Sequence, residues 1–149
     1  MISGQGCASL LFAAYLFVCT WQDNKTMEVY DVTHIPGIMI AVWMAQIPKM
    51  QAGAGVSLLA FALVQYVLFR RMYGDADVMC FLICALSLGD AGSMAVYLSH
   101  MLVTYVFLGV HQALLGNVAK DGNLKHPIPM IRYILMAYFV VKIALRLYN

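Results

Sequence analysis

Six apolar runs occupy most of the chain, and they constrain its fold more strongly than any single residue does. Short polar or charged stretches separate the runs, which cover residues 2–21, 32–47, 52–69, 72–89, 91–115 and 128–147. A helix that crosses a bilayer needs about 20 apolar residues, because the hydrocarbon core is about 30 Å thick and each residue adds about 1.5 Å. The pattern therefore predicts an all-α, polytopic membrane protein with about six transmembrane helices in a single domain, residues 1–149.

The balance of apolar and charged residues supports a lipid environment. Hydrophobic residues make up 63% of the chain and charged residues 11%, and the mean hydropathy is +0.80. So little polar surface would leave a water-soluble globule of this size poorly covered. We therefore expect a multi-pass protein of the cell membrane, with lipid as a partner. The net charge of +2 is too small, and the cations too scattered, to predict a nucleic-acid partner.

The positions of the cations predict the orientation of the chain in the membrane. No Lys or Arg precedes the first apolar run, so we interpret this run as a retained span rather than a secretory signal. Positive loop residues are held on the cytoplasmic side of membrane proteins. An external N-terminus leaves only the loop cation Lys49 outside and places five loop cations in the cytoplasm: Lys25, Arg70, Arg71, Lys120 and Lys125.

Two aspartates, Asp23 and Asp77, each lie where an apolar run meets a basic loop on the predicted cytoplasmic face. An ionised carboxylate at the edge of hydrocarbon costs several kcal/mol, which makes such residues candidates for function. Two carboxylates that meet in a cavity hold one proton between them, so the pair can activate a water and protonate a departing amide. Alternatively, each acid caps a helix or pairs with a loop cation. Lys25 is close to Asp23 in the sequence, and Arg70 and Arg71 precede Asp77.

Three segments of the chain resemble motifs of the type IV prepilin peptidases, which are membrane aspartic proteases of the GxGD type. Residues 72–78, MYGDADV, are similar to the glycine-aspartate signature that contains the family's second catalytic acid. Asp23 is followed by the Ile-Pro-Gly of residues 35–37 at the offset found in the family's first motif. The Ile-Pro pair at residues 128–129 is similar to a third family motif before the last span.

The resemblance implies a function and a set of site residues. It implies an aspartic endopeptidase that cleaves the leader of type IV prepilin-like, or Tad- or flagellin-like, substrates at the cytoplasmic side without a cofactor. The expected partners are the prepilin-like substrate, lipid, and assembly proteins of a pilus or secretion system. Asp23 and Asp77 would be catalytic. The supporting or substrate-binding residues would be Gly74, Asp75, Ala76, Lys25, Pro36 and Gly37.

The chain departs from the family pattern at several positions. Ala76 stands where the signature has its second glycine, and Met79 stands where the family has a lysine. An alanine is a mild replacement for glycine at negative φ and a costly one at positive φ. These departures leave open a catalytically inactive assembly factor of a pilus or secretion system. A small proton-coupled transporter is a further alternative, although the centres of the apolar runs contain few polar residues.

Three other acids compete with the predicted pair. Asp90 also follows a glycine, but it falls at the outer end of the fourth run and is typical of a tight turn. Asp31 is on the predicted cytoplasmic face, where we expect it to cap the second helix. Asp75 is expected to be solvated.

The cysteines and histidines do not form a recognisable metal motif. His100 and His111 are 11 residues apart, about three helical turns, so one ion would not bind both, and we expect each to be buried and hydrogen-bonded. None of the four cysteines forms a C-x-x-C pair, and thiols in apolar helices usually behave as small hydrophobic groups. We therefore predict no disulfide and no zinc. Larger prepilin peptidases carry two C-x-x-C zinc pairs associated with N-methylation, so the resemblance implies leader cleavage alone.

Overall fold

The computed structural model describes residues 4–45, 60, 63, 67, 74–88, 94–117 and 128–148, and within these ranges the regular structure is entirely helical. The all-α prediction is confirmed. The predicted run at residues 52–69 lies outside the described residues, apart from three isolated positions. The helices are α1 (Gly4–Thr26), α2 (Asp31–Ala45), α3 (Asp75–Ser87), α4 (Met94–Leu114) and α5 (Ile131–Tyr148).

The observed helices follow the predicted runs, with one difference that affects the candidate site. Helix α1 continues past residue 21 to Thr26, so Asp23 lies in the last turn of a helix rather than in a loop. Among the described helices, none is at once long enough and apolar enough to cross a membrane.

Local backbone interactions explain where α3 begins and where α4 ends. Gly74 precedes α3 with an extended backbone (φ −68°, ψ 155°), and its N–H donates to Asp77 Oδ2 at 3.2 Å. This bond satisfies a backbone donor next to the first turn, where the helix has no partner for it. At the C-terminal end of α4, Gly116 has φ 63°, and its N–H and that of Asn117 donate to the carbonyl oxygens of Ala113 and Gln112. The left-handed conformation required there suits a glycine.

Helix α3 lies at the centre of the bundle and contacts α2, α4 and α5, while α1 packs against α2 and α5. The centre is aromatic: Phe12 of α1 meets Tyr138 of α5 with ring centroids 5.0 Å apart, and Phe81 of α3 packs on Tyr97 of α4 at 6.3 Å. The Nζ of Lys142 also joins α5 to α1, by donating to Ser9 Oγ at 3.1 Å.

The contact between α1 and α2 depends on a glycine. Pro36 lies inside α2, where it removes one helical N–H donor, and the next residue, Gly37, is buried. The ring of Tyr15 from α1 lies directly over Gly37, so closely that a Cβ there would overlap three ring carbons. The absence of a side chain at Gly37 therefore permits the close approach of the two helices.

One end of the bundle collects the residues that the sequence analysis singled out. The C-terminus of α1 and the N-termini of α3 and α5 meet there, because Asp23 accepts a hydrogen bond from Ile131 and interacts electrostatically with Asp77. We call this region, defined by Asp23, Asp77 and Ile131, the acid end.

Candidate active site

Asp23 joins the end of α1 to the start of α5. Its side chain is buried, with 7% of its surface exposed, and its Oδ2 accepts the backbone N–H of Ile131 at 2.8 Å. Burial raises the pKa of the Asp23 carboxyl above its ordinary value, while the hydrogen bond from Ile131 and the positive charge of Arg132 act in the opposite direction. Asp23 thus supplies an acceptor to a helix N-terminus that is distant in the sequence.

Asp77 lies in the first turn of α3, where its carboxylate accepts the N–H of Gly74 and is partly buried. The carboxylate of Asp23 is close enough to act on it as a like charge. The structure therefore places the two acids that the sequence analysis selected within electrostatic range of each other. It also gives each of them a helix-capping bond, so both interpretations from the sequence have a structural basis.

A pair of neighbouring carboxylates has a defined chemistry. Both groups cannot be ionised cheaply at short range, so the pair titrates as a unit and retains one proton to higher pH than an isolated acid would. Three neighbours favour the charged form of the Asp23 carboxylate: the backbone N–H groups of Ile131 and Met130 and the positive charge of Arg132. The arrangement can therefore offer a base and a proton donor at the same end of the bundle.

The predicted supporting residues around Asp77 lie at the start of α3. Gly74 supplies the N–H that Asp77 accepts, and Asp75 is exposed in the first turn. Ala76 is helical and packs against the core, and the positive-φ residue other than glycine within the described ranges is Met27. Ala76 therefore has negative φ, where it replaces the glycine of the family signature at little cost.

The predicted supporting residues near Asp23 occupy different surroundings. Lys25 is exposed, and its Nζ lies 5.1 Å from the centroid of the Trp21 ring one turn earlier. Pro36 is exposed on α2, and Gly37 contacts Tyr15. We therefore assign to Gly37 a role in helix packing.

Of the competing acids, Asp31 lies at the start of α2, and Asp90 lies outside the described residues. Asp31 is the first residue of α2 and is exposed, so it is in the first turn rather than at the cap position before it. A negative charge there is favourable to the helix dipole. Asp90 falls among residues 89–93, outside the described ranges.

Sequence reasoning missed a polar cluster around Tyr133, next to the acid end. The Tyr133 hydroxyl is 2.7 Å from His111 Nδ1 and accepts hydrogen bonds from Gln112 and Arg132 at 2.6 and 2.7 Å. Arg132, Tyr133 and His111 also line a cavity of about 380 Å³ between α4 and α5, and the rest of its lining is apolar. The available signal was Arg132, three residues after Pro129, because it lies near the predicted start of a helix on the same face as the two acids.

Sequence reasoning also missed a group of thiols and an imidazole. Cys19, His34 and Cys80 are buried, and their ligand atoms lie within 4.8 Å of one another. Cys19 precedes Asp23 by four residues on α1, and Cys80 follows Asp77 by three on α3, so the group lies one helical turn farther into the bundle. We call these three residues the thiol layer. Each comes from a different helix, and no spacing in the sequence reveals that they meet.

His100 and His111, the two histidines of α4, also have hydrogen-bond partners. His100 is fully buried, with its Nε2 2.9 Å from the carbonyl oxygen of Ile134. His111 is exposed and contacts the Tyr133 hydroxyl. The expectation of a buried, hydrogen-bonded histidine thus holds for His100, and the burial expected for His111 is wrong.

Comparisons of the chain with models of protein families, with curated proteins and with solved structures find no match. The resemblance to prepilin peptidases therefore depends on the residues of this chain alone.

Proposed function

We propose that this protein is a membrane-embedded aspartic endopeptidase that removes the leader peptide of type IV prepilin-like substrates at the cytoplasmic side. One observation carries the proposal: Asp23 and Asp77, from two different helices, come within electrostatic range at one end of the bundle. Their motifs resemble the two catalytic motifs of the prepilin peptidases, and no requirement of local helix structure brings them together.

The outer faces of the helices support a lipid environment. Large apolar side chains are exposed on α1, α2, α4 and α5, among them Phe17 at 58%, Met39 at 68%, Leu102 at 66% and Ile143 at 58%. Exposed apolar surface of this extent marks contact with a membrane or a partner. The proposed arrangement has about six transmembrane helices with the N-terminus outside, so that the acid end faces the cytoplasm.

The geometry suggests separate roles for the two acids in peptide hydrolysis. Asp23 is the proposed base, because the Ile131 N–H and the Arg132 charge favour its ionised form. It would take a proton from a water that attacks the scissile carbonyl carbon. Asp77 would donate the shared proton to the amide nitrogen as the peptide bond breaks. Gly74, next to Asp77, is exposed and has no side chain, which would let a substrate strand approach its backbone.

The test is co-expression with a candidate prepilin, with leader removal measured by gel mobility and N-terminal sequencing. Asparagine keeps the acceptor oxygen that both capping bonds need but cannot act as the acid or the base. Asp23→Asn and Asp77→Asn should therefore each abolish cleavage while the protein remains folded. The controls Asp31→Asn and Asp90→Asn should cleave at the wild-type rate.

A second candidate function is a non-catalytic assembly factor, and a specific observation favours it. Each acid already accepts a hydrogen bond at a helix N-terminus, Asp23 from Ile131 and Asp77 from Gly74. A structural role would explain both bonds without catalysis. In that case the purified protein would bind a prepilin without trimming it, and Asp23→Asn and Asp77→Asn would leave this binding intact.

A further inference from the structure

The thiol layer brings two sulfurs and one imidazole into a single buried group. The ligand atoms of Cys19, His34 and Cys80 lie within 4.8 Å of one another, and the three side chains are at most 3% exposed. An oxygen lies beside them, because the Tyr15 hydroxyl is 3.0 Å from His34 Nδ1 and 3.7 Å from Cys80 Sγ. The three ligands come from α1, α2 and α3, and the Tyr15 hydroxyl contacts two of them.

The imidazole of His34 has one ring nitrogen without a hydrogen-bond partner. The Nε2 atom of His34 is buried and has no hydrogen-bond partner. An unsatisfied buried polar atom costs about 1–3 kcal/mol, and native proteins keep few of them. The imidazole is also held in place by Tyr15, so this part of the site is ordered before any ligand arrives.

Contrary to the expectation from the sequence, we propose that Cys19, His34 and Cys80 bind a zinc ion. Two cysteines and one histidine form a donor set that zinc accepts, at about 2.3 Å to sulfur and about 2.0 Å to nitrogen. Tetrahedral angles at those bond lengths separate the donors by about 3.5–3.8 Å. The observed donors need to move inward by only about 1 Å to reach this geometry.

Charge balance favours zinc over monovalent copper, the other soft ion that thiolates bind. Binding releases the two thiol protons of Cys19 and Cys80, and two thiolates neutralise one Zn²⁺. The same ligands around Cu⁺ would leave a net negative charge in a buried site, where an unpaired charge is costly. The acids of the nearby acid end would make that negative charge less favourable still.

The site would fix the helices that carry the two acids. The proposed ligands Cys19 and Cys80 lie one turn from Asp23 and Asp77 on α1 and α3, and His34 adds α2. An ion among them would link three helices that otherwise meet through side-chain packing. This inference does not rest on the proposed peptidase function, because metal content and leader cleavage are measured separately.

The test measures zinc in the full-length protein, expressed with added zinc sulfate and purified in a mild detergent. Elemental analysis by mass spectrometry after dialysis should find close to one zinc per chain. Cys19→Ser, Cys80→Ser and His34→Ala should reduce zinc to background. The matched control Cys84→Ser removes an equally buried thiol one turn farther along α3 and should keep the ion.

A second measurement does not depend on whether the variants fold. Cobalt(II) replaces zinc in the wild-type protein, and thiolate-to-cobalt charge-transfer bands together with the strong visible bands of tetrahedral cobalt should appear. Wild-type protein without zinc and without these bands would overturn the proposal. So would loss of zinc in Cys84→Ser to the same extent as in Cys80→Ser, or a Cys19–Cys80 disulfide in the purified protein.

Discussion

The acid end and the thiol layer lie one helical turn apart on the same two helices, yet their polar groups are satisfied in different ways. At the acid end, the carboxylates of Asp23 and Asp77 accept backbone N–H groups at the starts of α5 and α3. In the thiol layer, the polar atoms meet other side chains, and one nitrogen of His34 has no partner. Free backbone donors exist only at helix ends, so polar groups one turn inward depend on other helices or on an ion.

The largest effect is expected at Gly37, which lies under the ring of Tyr15 next to the thiol layer. Gly37→Ala would place a methyl group inside the Tyr15 ring, so the helices must separate and unfolding should become easier by about 3 kcal/mol. Thermal unfolding followed by circular dichroism measures the change. The control is Gly109→Ala, where a Cβ meets nothing within 4 Å and the higher helix propensity of alanine should stabilise the protein. Equal changes in the two variants would contradict the packing role of Gly37.

The second-largest effect is expected from removing the Tyr15 hydroxyl, which contacts His34 and Cys80 of the thiol layer. Tyr15→Phe keeps the ring over Gly37 but removes the hydroxyl that contacts His34 and Cys80. In the metal-free protein this leaves both ring nitrogens of His34 without partners, so we expect a loss of about 2 kcal/mol. Tyr30→Phe, at an exposed tyrosine, should change stability little. A Tyr15→Phe variant as stable as Tyr30→Phe would show that the hydroxyl contributes nothing to the layer.

A smaller effect is expected at the acid end, where a backbone donor needs only an acceptor oxygen. Asp23→Ala removes the cap of α5 and should lower the free energy of unfolding by about 1 kcal/mol. Asp23→Asn keeps an acceptor and should lose less. Asn24→Ala, at the exposed neighbouring residue, serves as the control. If the alanine and asparagine variants at residue 23 are equally stable, the bond to Ile131 does not stabilise the fold.

The smallest effect is expected in how the contribution of Asp23 to stability changes with pH. Burial raises the pKa of Asp23 above 3.8, so the folded protein holds this proton more tightly than the unfolded chain does. The contribution of the protonated Asp23 carboxyl to the free energy of unfolding is complete below pH 3.8. It is lost as pH rises through the raised pKa of the folded protein. The stability of wild type relative to Asp23→Asn should therefore fall as pH increases, in thermal unfolding measured at a series of pH values. A relative stability that rises with pH would mean that charged Asp23 is the favoured form.

Helices were predictable from the sequence because their signals are local. The apolar runs locate α1, α2, α3, α4 and α5 to within a few residues, and Gly74 followed by two acids is a typical helix start. The end of α1 was harder, because residues 22–26 are polar and continue the helix beyond the apolar run. Polar residues alone did not end this helix. It ends at Thr26, where the next residue, Met27, takes a positive φ of 59° and turns the backbone.

The candidate site was only partly predictable. Asp23 and Asp77 could be selected because a carboxylate at the edge of an apolar run is costly, and the motif resemblance selected the same pair. Arg132 and the thiol layer were missed, since their importance depends on which helix faces neighbour each other. Lys25 was included because the resemblance implies a basic residue two positions after the first acid, and in the structure its Nζ lies beside Trp21.

The helical, largely apolar character of this chain and its acids near helix ends follow from the amino-acid sequence, because hydrophobic patterning and capping act over a few residues. The cap that Asp23 provides to α5, its position within electrostatic range of Asp77, and the convergence of Cys19, His34 and Cys80 become visible in the folded chain. Such convergence depends on the packing of side chains from distant segments, as at Tyr15 and Gly37, and no local pattern in the chain encodes which faces meet.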